Sequence, residues 1–200
     1  MITMEYQKGD ESMAQQEFHE VTQGTLTPEK VSMTLAEFLE NDIEGYEYVK
    51  GELVPMSPAT RAHSKISVNV IRHLDQHVRE NQLGEVHVEA TFRVGERGLK
   101  PDVAFVSSTR LDGDENKGFP IPPDLAIEVL SPTDVLSLVV EKAFAYLNAG
   151  TRLVWILEPH SQTVTVYRSE RDIALLTYED TLTGEDVVPG FTCPVSQLFE

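Results

Sequence analysis

Two carboxylates stand where a folding chain gains least from them: Asp102 opens the run PDVAFV, and Glu128 lies inside PDLAIEVL. Both runs are nearly continuous in apolar residues, as expected of central strands covered on both faces. Side chains alternate across a strand, so Asp102 shares a face with Ala104 and Val106, and Glu128 shares one with Ala126 and Leu130. The small alanines leave a shallow floor. If the two strands pair, the acids meet above it with room for a hydrated cation and a phosphate. An unpaired buried carboxylate is costly, so each should have a cation or strong donors. Hard oxygen ligands suit Mg²⁺ or Mn²⁺, and an ion held there would serve phosphodiester hydrolysis. For Asp102 the competing reading is a strand-end residue solvated in a turn. For Glu128, in the middle of IEVL, a purely structural role is uncommon. Asp124, in the Pro-Pro-Asp that enters the strand, is ordinary loop chemistry.

Lys142 adds a third point. At about 100° per residue, the polar face of its helix centres on Ser137, Glu141 and Asn148, and Lys142 lies well away from it, between Leu138 and Val135. A lysine on an apolar stripe either covers it with its stem while the amine reaches water, or aims the amine at the acids. Tyr146, one turn on, shares the stripe and could hydrogen-bond in the site or serve as a core aromatic. His63 lies on an earlier helix with Ile66 and Val70 and should face inward, to contact phosphate, orient a carboxylate, or sit satisfied in the core. Glu52 follows the Lys50-Gly51 turn, where a solvated hairpin glutamate and a metal ligand look the same. Without a second histidine at metal spacing, and with the single cysteine Cys193, no zinc site is expected.

Placing these residues takes an alternation of helices and strands. Thr34-Leu35-Ala36-Glu37 is a capping box that starts a short helix to about Asn41. YEYV and ELVPM flank the Lys50-Gly51 turn as a hairpin, with Pro55 pointing to an edge strand. Ile66, Val70, Leu74 and Val78 recur at helical spacing between Arg61 and Leu83, and Gly84 supplies the stop. EVHVEATFRV, PDVAFVSS and PDLAIEVL read as three strands. Ser131-Pro132-Thr133-Asp134 reads as a second capping box that opens a long helix to Gly150. TRLVWILEP and QTVTVYRS follow as strands around the Glu158–Ser161 turn, and the C-terminal SQLFE should pack on the core. The order predicts an α/β fold in which helices flank a central mixed sheet. Residues 27–200 form one domain, preceded by a mobile acidic tail over 1–26.

Sixteen Lys and Arg against 33 Asp and Glu give a net charge of −17, which disfavours general affinity for nucleic acid. The charge is uneven. Residues 1–52 carry 12 acidic and 3 basic side chains, whereas 53–110 carry 6 and 8. Only the latter segment, with Arg61, Lys65, Arg72, Arg79, Arg93, Arg97 and Lys100, can present a basic surface. No stretch approaches a membrane span and the start lacks the order of a signal peptide, so a cytoplasmic protein without membrane contact is expected.

From Met33 onward, the segments YEYVKGELVPMSP, KPDVAFV, PPDLAIEVLSP and AGTRLVWILEP, with His63 and the Lys142–Tyr146 spacing, carry a likeness. On these the chain resembles the Uma-type putative restriction endonuclease family, a branch of the PD-(D/E)XK nuclease superfamily. The resemblance implies a restriction-endonuclease-like core, metal acids at Asp102 and Glu128, and a further acid at Glu52 or Glu47. The superfamily pattern sets a lysine two residues after the second acid, where this chain has Leu130. Lys142 is the natural replacement. The expectation is a Mg²⁺- or Mn²⁺-dependent endonuclease acting on nucleic acid, with DNA favoured over RNA, and a homodimer would supply the two cuts a duplex needs. The rival reading is an inactive nuclease-fold module that binds a protein partner, supported by the net charge and the missing strand lysine.

Overall fold

The four apolar positions read at helical spacing do form one buried stripe. In the computed structural model, which describes residues 29–30, 33–41 and 43–200, Ile66, Val70, Leu74 and Val78 are all at most 4% exposed. They lie on a helix Arg61–Glu80 that follows two other segments: a short strand and helix, β1 (Glu29–Lys30) and α1 (Leu35–Glu40), and a hairpin, β2 (Tyr46–Val49) and β3 (Glu52–Pro55). The long helix is therefore α2. Then come β4 (Gly84–Val88), β5 (Phe92–Val94), β6 (Arg97–Leu99), β7 (Val103–Ser107), a 3-10 turn at Ser108–Arg110, β8 (Leu125–Val129) and α3 (Leu136–Ala149). The chain closes with β9 (Leu153–Glu158), β10 (Thr163–Ser169), β11 (Asp172–Leu176), β12 (Thr181–Thr183), β13 (Thr192–Pro194) and α4 (Val195–Phe199).

The central sheet runs β11-β10-β9-β8-β7-β4. Only β8 and β9 are parallel, joined through α3 as a crossover, so the sheet is mixed as expected. Its two faces are covered separately. Val103, Phe105, Leu125 and Ile127 pack with the α2 stripe and with Val195 and Leu198 of α4, while Ala104, Val106 and Ala126 pack with Ala143 and Tyr146 of α3. A second sheet, β1-β3-β2-β6-β5, carries the hairpin. Its Lys50-Gly51 turn has φ of 51° and 93°, the left-handed pair that suits the twist of a two-residue hairpin. β3 is not the edge strand that Pro55 pointed to, because β1 pairs with it at Glu52 and Leu53; Pro55 itself, opposite Tyr46, lies beyond that pairing. Gly98 of β6 lets α1 lie close, since a Cβ there would come within 2.6 Å of the buried Phe38 ring.

Four further local expectations need correction, and the tail read over residues 1–26 lies outside the described residues. EVHVEATFRV is two strands in different sheets, because the chain turns at Glu89, whose φ is 50°. RGL forms the short β6 that sequence reading passed over. Gly84 opens β4 rather than ending α2; the left-handed residue after the Asn81 cap is Gln82. Ser131–Asp134 closes a single turn, with the Ser131 N–H donating to Asp134 Oδ2 at 2.7 Å, and α3 begins only at Leu136. Val135 is extended there, and Asp134 spends its other oxygen on the Ser57 hydroxyl.

Candidate active site

Antiparallel register joins Val103 to Ile127, so one step further Asp102 lies across from Glu128 at the same end of neighbouring central strands. The alanines beside them, Ala104 and Ala126, belong to the face covered by α3. From that helix Lys142 Nζ reaches Glu128 Oε1 at 2.9 Å and Glu47 Oε1 at 2.8 Å, and the Tyr146 hydroxyl donates to Glu128 Oε1 at 2.9 Å. Residues 142 and 146 are one turn apart, so one helix face delivers both donors to one carboxylate. Asp102 is held from two sides: Oδ2 accepts the Val129 N–H at 2.6 Å, and Oδ1 lies 3.1 Å from His63 Nε2. His63 is buried, and its Nδ1 has no hydrogen-bond partner. A proton on Nε2 suits this arrangement, since that nitrogen then donates to Asp102.

Electrostatics follow from three carboxylates around one ammonium. Burial pushes the Glu128 carboxyl up to about 8; Lys142 opposes this, and Asp102 and Glu47 add to it. Burial works against the Lys142 charge, but Glu128 and Glu47 outweigh it and hold the ammonium above the ordinary lysine range. Burial, Glu128 and Glu47 together raise Tyr146 well above the ordinary phenol. For His63 the hydrogen bond to Asp102 outweighs burial and raises the imidazole. The cluster therefore has a deficit of positive charge.

Among the residues named from sequence, Asp102, Glu128, Lys142 and His63 come together, with Tyr146 beside them. Glu52 does not: it stays exposed at the turn end of β3, with no site side chain among its partners. Glu47, the other acid considered, is the one that meets Lys142. Lys100 was read only as a candidate for a basic surface, yet it is 3% exposed. Its N–H donates to Glu47 Oε1 at 2.8 Å, while its ammonium donates to the Ile43 carbonyl and lies over the Phe38 ring. Lys100 therefore positions Glu47. Arg79 and Arg97 are tied to Asp75 and Glu141. Asp124, read as loop chemistry, is a buried clamp that accepts the Ser107 N–H and pairs with Arg110 at 2.7 Å.

A central mixed sheet with acids converging at one end and helices on both faces is a nuclease-like arrangement. The crystal structure of a putative nuclease belonging to DUF820 from Anabaena variabilis ATCC 29413 matches it with a TM-score of 0.74 at 25% identity, over 84% of this chain and 97% of that one. The chain itself belongs to the Uma2 family, described as putative restriction endonuclease, whose pattern it matches over residues 32–196. Comparison with curated proteins gives no match. No helix among the described residues is long and apolar enough to cross a membrane.

Proposed function

We propose that this chain is a Mg²⁺- or Mn²⁺-dependent endonuclease that hydrolyses phosphodiester bonds in DNA, acting in the cytoplasm. The observation that carries the reading is the placement of Lys142 between Glu47 and Glu128, with Asp102 across the strand pair. No three His, Cys, Asp or Glu side chains of the described residues form a ready-made ligand cage. The donor set nevertheless fits a hard dication: its ligands are carboxylate oxygens, and Glu128 is raised first by burial and further by Asp102 and Glu47, a crowding of acids that such an ion would offset. Asp102 and Glu128 would hold it, with the Val129 carbonyl and Glu47 as further oxygens.

Bound there, the ion would polarise the scissile phosphate and acidify a water. The chain's own groups have separable tasks. Lys142 supplies a fixed positive charge where negative charge grows on the phosphate. Tyr146 orients Glu128, His63 and the Val129 N–H orient Asp102, and the Lys100 N–H orients Glu47. A second copy would provide the second cut on a duplex.

Calorimetric Mn²⁺ titration beside cleavage of labelled single- and double-stranded DNA and RNA tests this, with wild type against Asp102→Ala and Glu128→Ala. Metal binding and DNA cleavage lost in both variants support the reading. A folded wild type that neither binds metal nor cuts would leave a nuclease-fold module that engages a protein.

A further inference from the structure

Among the described residues, Arg79, Arg97, Arg110, Arg152 and Arg168 each meet an Asp or Glu, whereas Lys50, Arg93 and Arg171 stand singly elsewhere in the fold without one. Three more unpaired cations share one element, α2. Arg61, Lys65 and Arg72 are exposed, and no described carboxylate lies within ion-pair distance of them. Successive residues of a helix turn by about 100°, so positions 61, 65 and 72 fall within about 40° of one another and span about 16 Å along the axis. Val68, 52% exposed, lies on the same stripe.

Helix propensity and exposure permit these residues, but the helix dipole does not favour their placement. The first 14 residues of α2, Arg61 to Leu74, contain no Asp or Glu, although acids are preferred at the positive end of a helix dipole and cations disfavoured there. In a chain of net charge −17, a run free of acid and rich in unpaired cations goes against the composition. The same helix reaches the catalytic cluster, since His63 in its first turn contacts Asp102. His63 faces the sheet and the stripe faces outward, so the stripe begins at the end of α2 beside the site and leads away along the outer surface. It borders a groove of about 610 Å³ that Gln197 and Glu200 also line.

We infer that the Arg61–Lys65–Arg72 stripe is a backbone track that holds the phosphates of duplex DNA as it leaves the catalytic cluster. The inference rests on the nuclease reading and deepens it. Three side chains along about 16 Å face about five base pairs of axial length, and contacts of this type set position and affinity rather than sequence. The track also resolves a conflict: local positive charge lets a strongly acidic protein bind a polyanion.

The test compares wild type with a triple variant, R61S/K65S/R72S, and an equal-charge control, K117S/R152S/R171S, changed at cations elsewhere. Fluorescence polarisation of labelled 30-base-pair DNA and RNA duplexes is read from 50 to 200 mM salt, with hydrolysis of bis(p-nitrophenyl) phosphate as a measure of chemistry that needs no track. All three side chains of the stripe are exposed, and a melting curve confirms folding. The triple variant should lose roughly tenfold or more in affinity, and its slope of log K against log salt should shrink by about 2.7, at about 0.9 per phosphate contact. Its hydrolysis of the small diester should be unchanged. A wild-type slope in the triple variant, or an equal loss in the control, overturns the track. A loss confined to RNA overturns DNA as its occupant. If wild type hydrolyses the small diester but binds no duplex, the track fails and the nuclease reading stands; if it does neither, both fail.

Discussion

Replacing Lys142 by methionine keeps most of the stem and deletes the charge that two carboxylates share. Lys142 is about 21% exposed, and Glu47 and Glu128 about 12% each, so the group is mostly screened from water. Removing one partner of such a cluster costs roughly 3–5 kcal/mol. The structure narrows that figure. With the ammonium gone, the easiest response is for one more carboxyl to bind a proton. From an ordinary glutamate value of 4.5, this costs about 3.4 kcal/mol at pH 7 and about 0.7 kcal/mol at pH 5. For a domain of this size each kcal/mol moves Tm by about 2–4 °C, so Lys142→Met should melt roughly 7–14 °C below wild type at pH 7 and no more than about 3 °C below at pH 5. Thermal unfolding followed by circular dichroism in EDTA at the two pH values reads this directly. DNA cleavage should fall by roughly 10²-fold or more, the scale of losing one preorganised electrostatic donor. Equal losses of Tm at both pH values, or no loss at either, would show that Lys142 only packs against the sheet, and wild-type cleavage by the variant would remove it from the chemistry.

The remaining expectations follow from the same map. Glu47→Ala should reduce cleavage by about 10²-fold, whereas Glu52→Ala, at an exposed turn, should change neither cleavage nor stability measurably in parallel assays. Asp124→Ala leaves Arg110 without its buried partner and should cost roughly 3–5 kcal/mol in urea unfolding, with metal binding intact at temperatures where the variant is folded. Wild type without metal should lose stability as pH rises from 5 to 8, because Glu128 is raised to about 8 and His63 is raised above 6.5. The Glu128 penalty is absent below 4.5 and grows to its full size near 8, while the His63 contribution is present below 6.5 and disappears as pH climbs through its raised value. Glu128→Gln should flatten that slope, and a profile as steep as wild type's would contradict it.

What could be read from one dimension was whatever broke a pattern. Asp102 and Glu128 interrupt apolar runs, and both proved to lie at one end of paired central strands. The α2 stripe was equally plain, since all four of its apolar positions are buried. Lys142 was read as either covering its stripe or aiming its amine at the acids; the amine meets Glu47 and Glu128, although Leu138 and Val135, its neighbours on the stripe, are 61% and 56% exposed. The choice between Glu47 and Glu52 could not be made by alternation. In the hairpin register Glu52 opposes Val49 and Glu47 opposes Val54, which puts both acids on the same face. They differ only in distance from the turn, and the packing of the second sheet against α3 decides which one reaches Lys142. The backbone role of Lys100 has no signature at all, because an N–H aimed at a carboxylate carries no residue type.

The missing strand lysine then looks less like a defect than a different route to the same charge. Position 130 lies on the same face as Glu128 by alternation, but it is filled by Leu130, which packs beside the α3-side core while its N–H donates to the Leu157 carbonyl of β9. A lysine projecting from the strand would approach Glu128 along the sheet and would have to displace that packing. A lysine from α3 instead approaches from above the sheet, and helical spacing brings Tyr146 with it, so Glu128 receives an ammonium and a hydroxyl from one rigid element. It also places the ammonium between the central sheet and the hairpin sheet, within reach of Glu47, which a side chain lying along β8 would approach less directly. The helical lysine thus links three parts of the chain that lie apart in sequence, the β8 strand, the β2–β3 hairpin and α3, and the site is complete only when all three are in place.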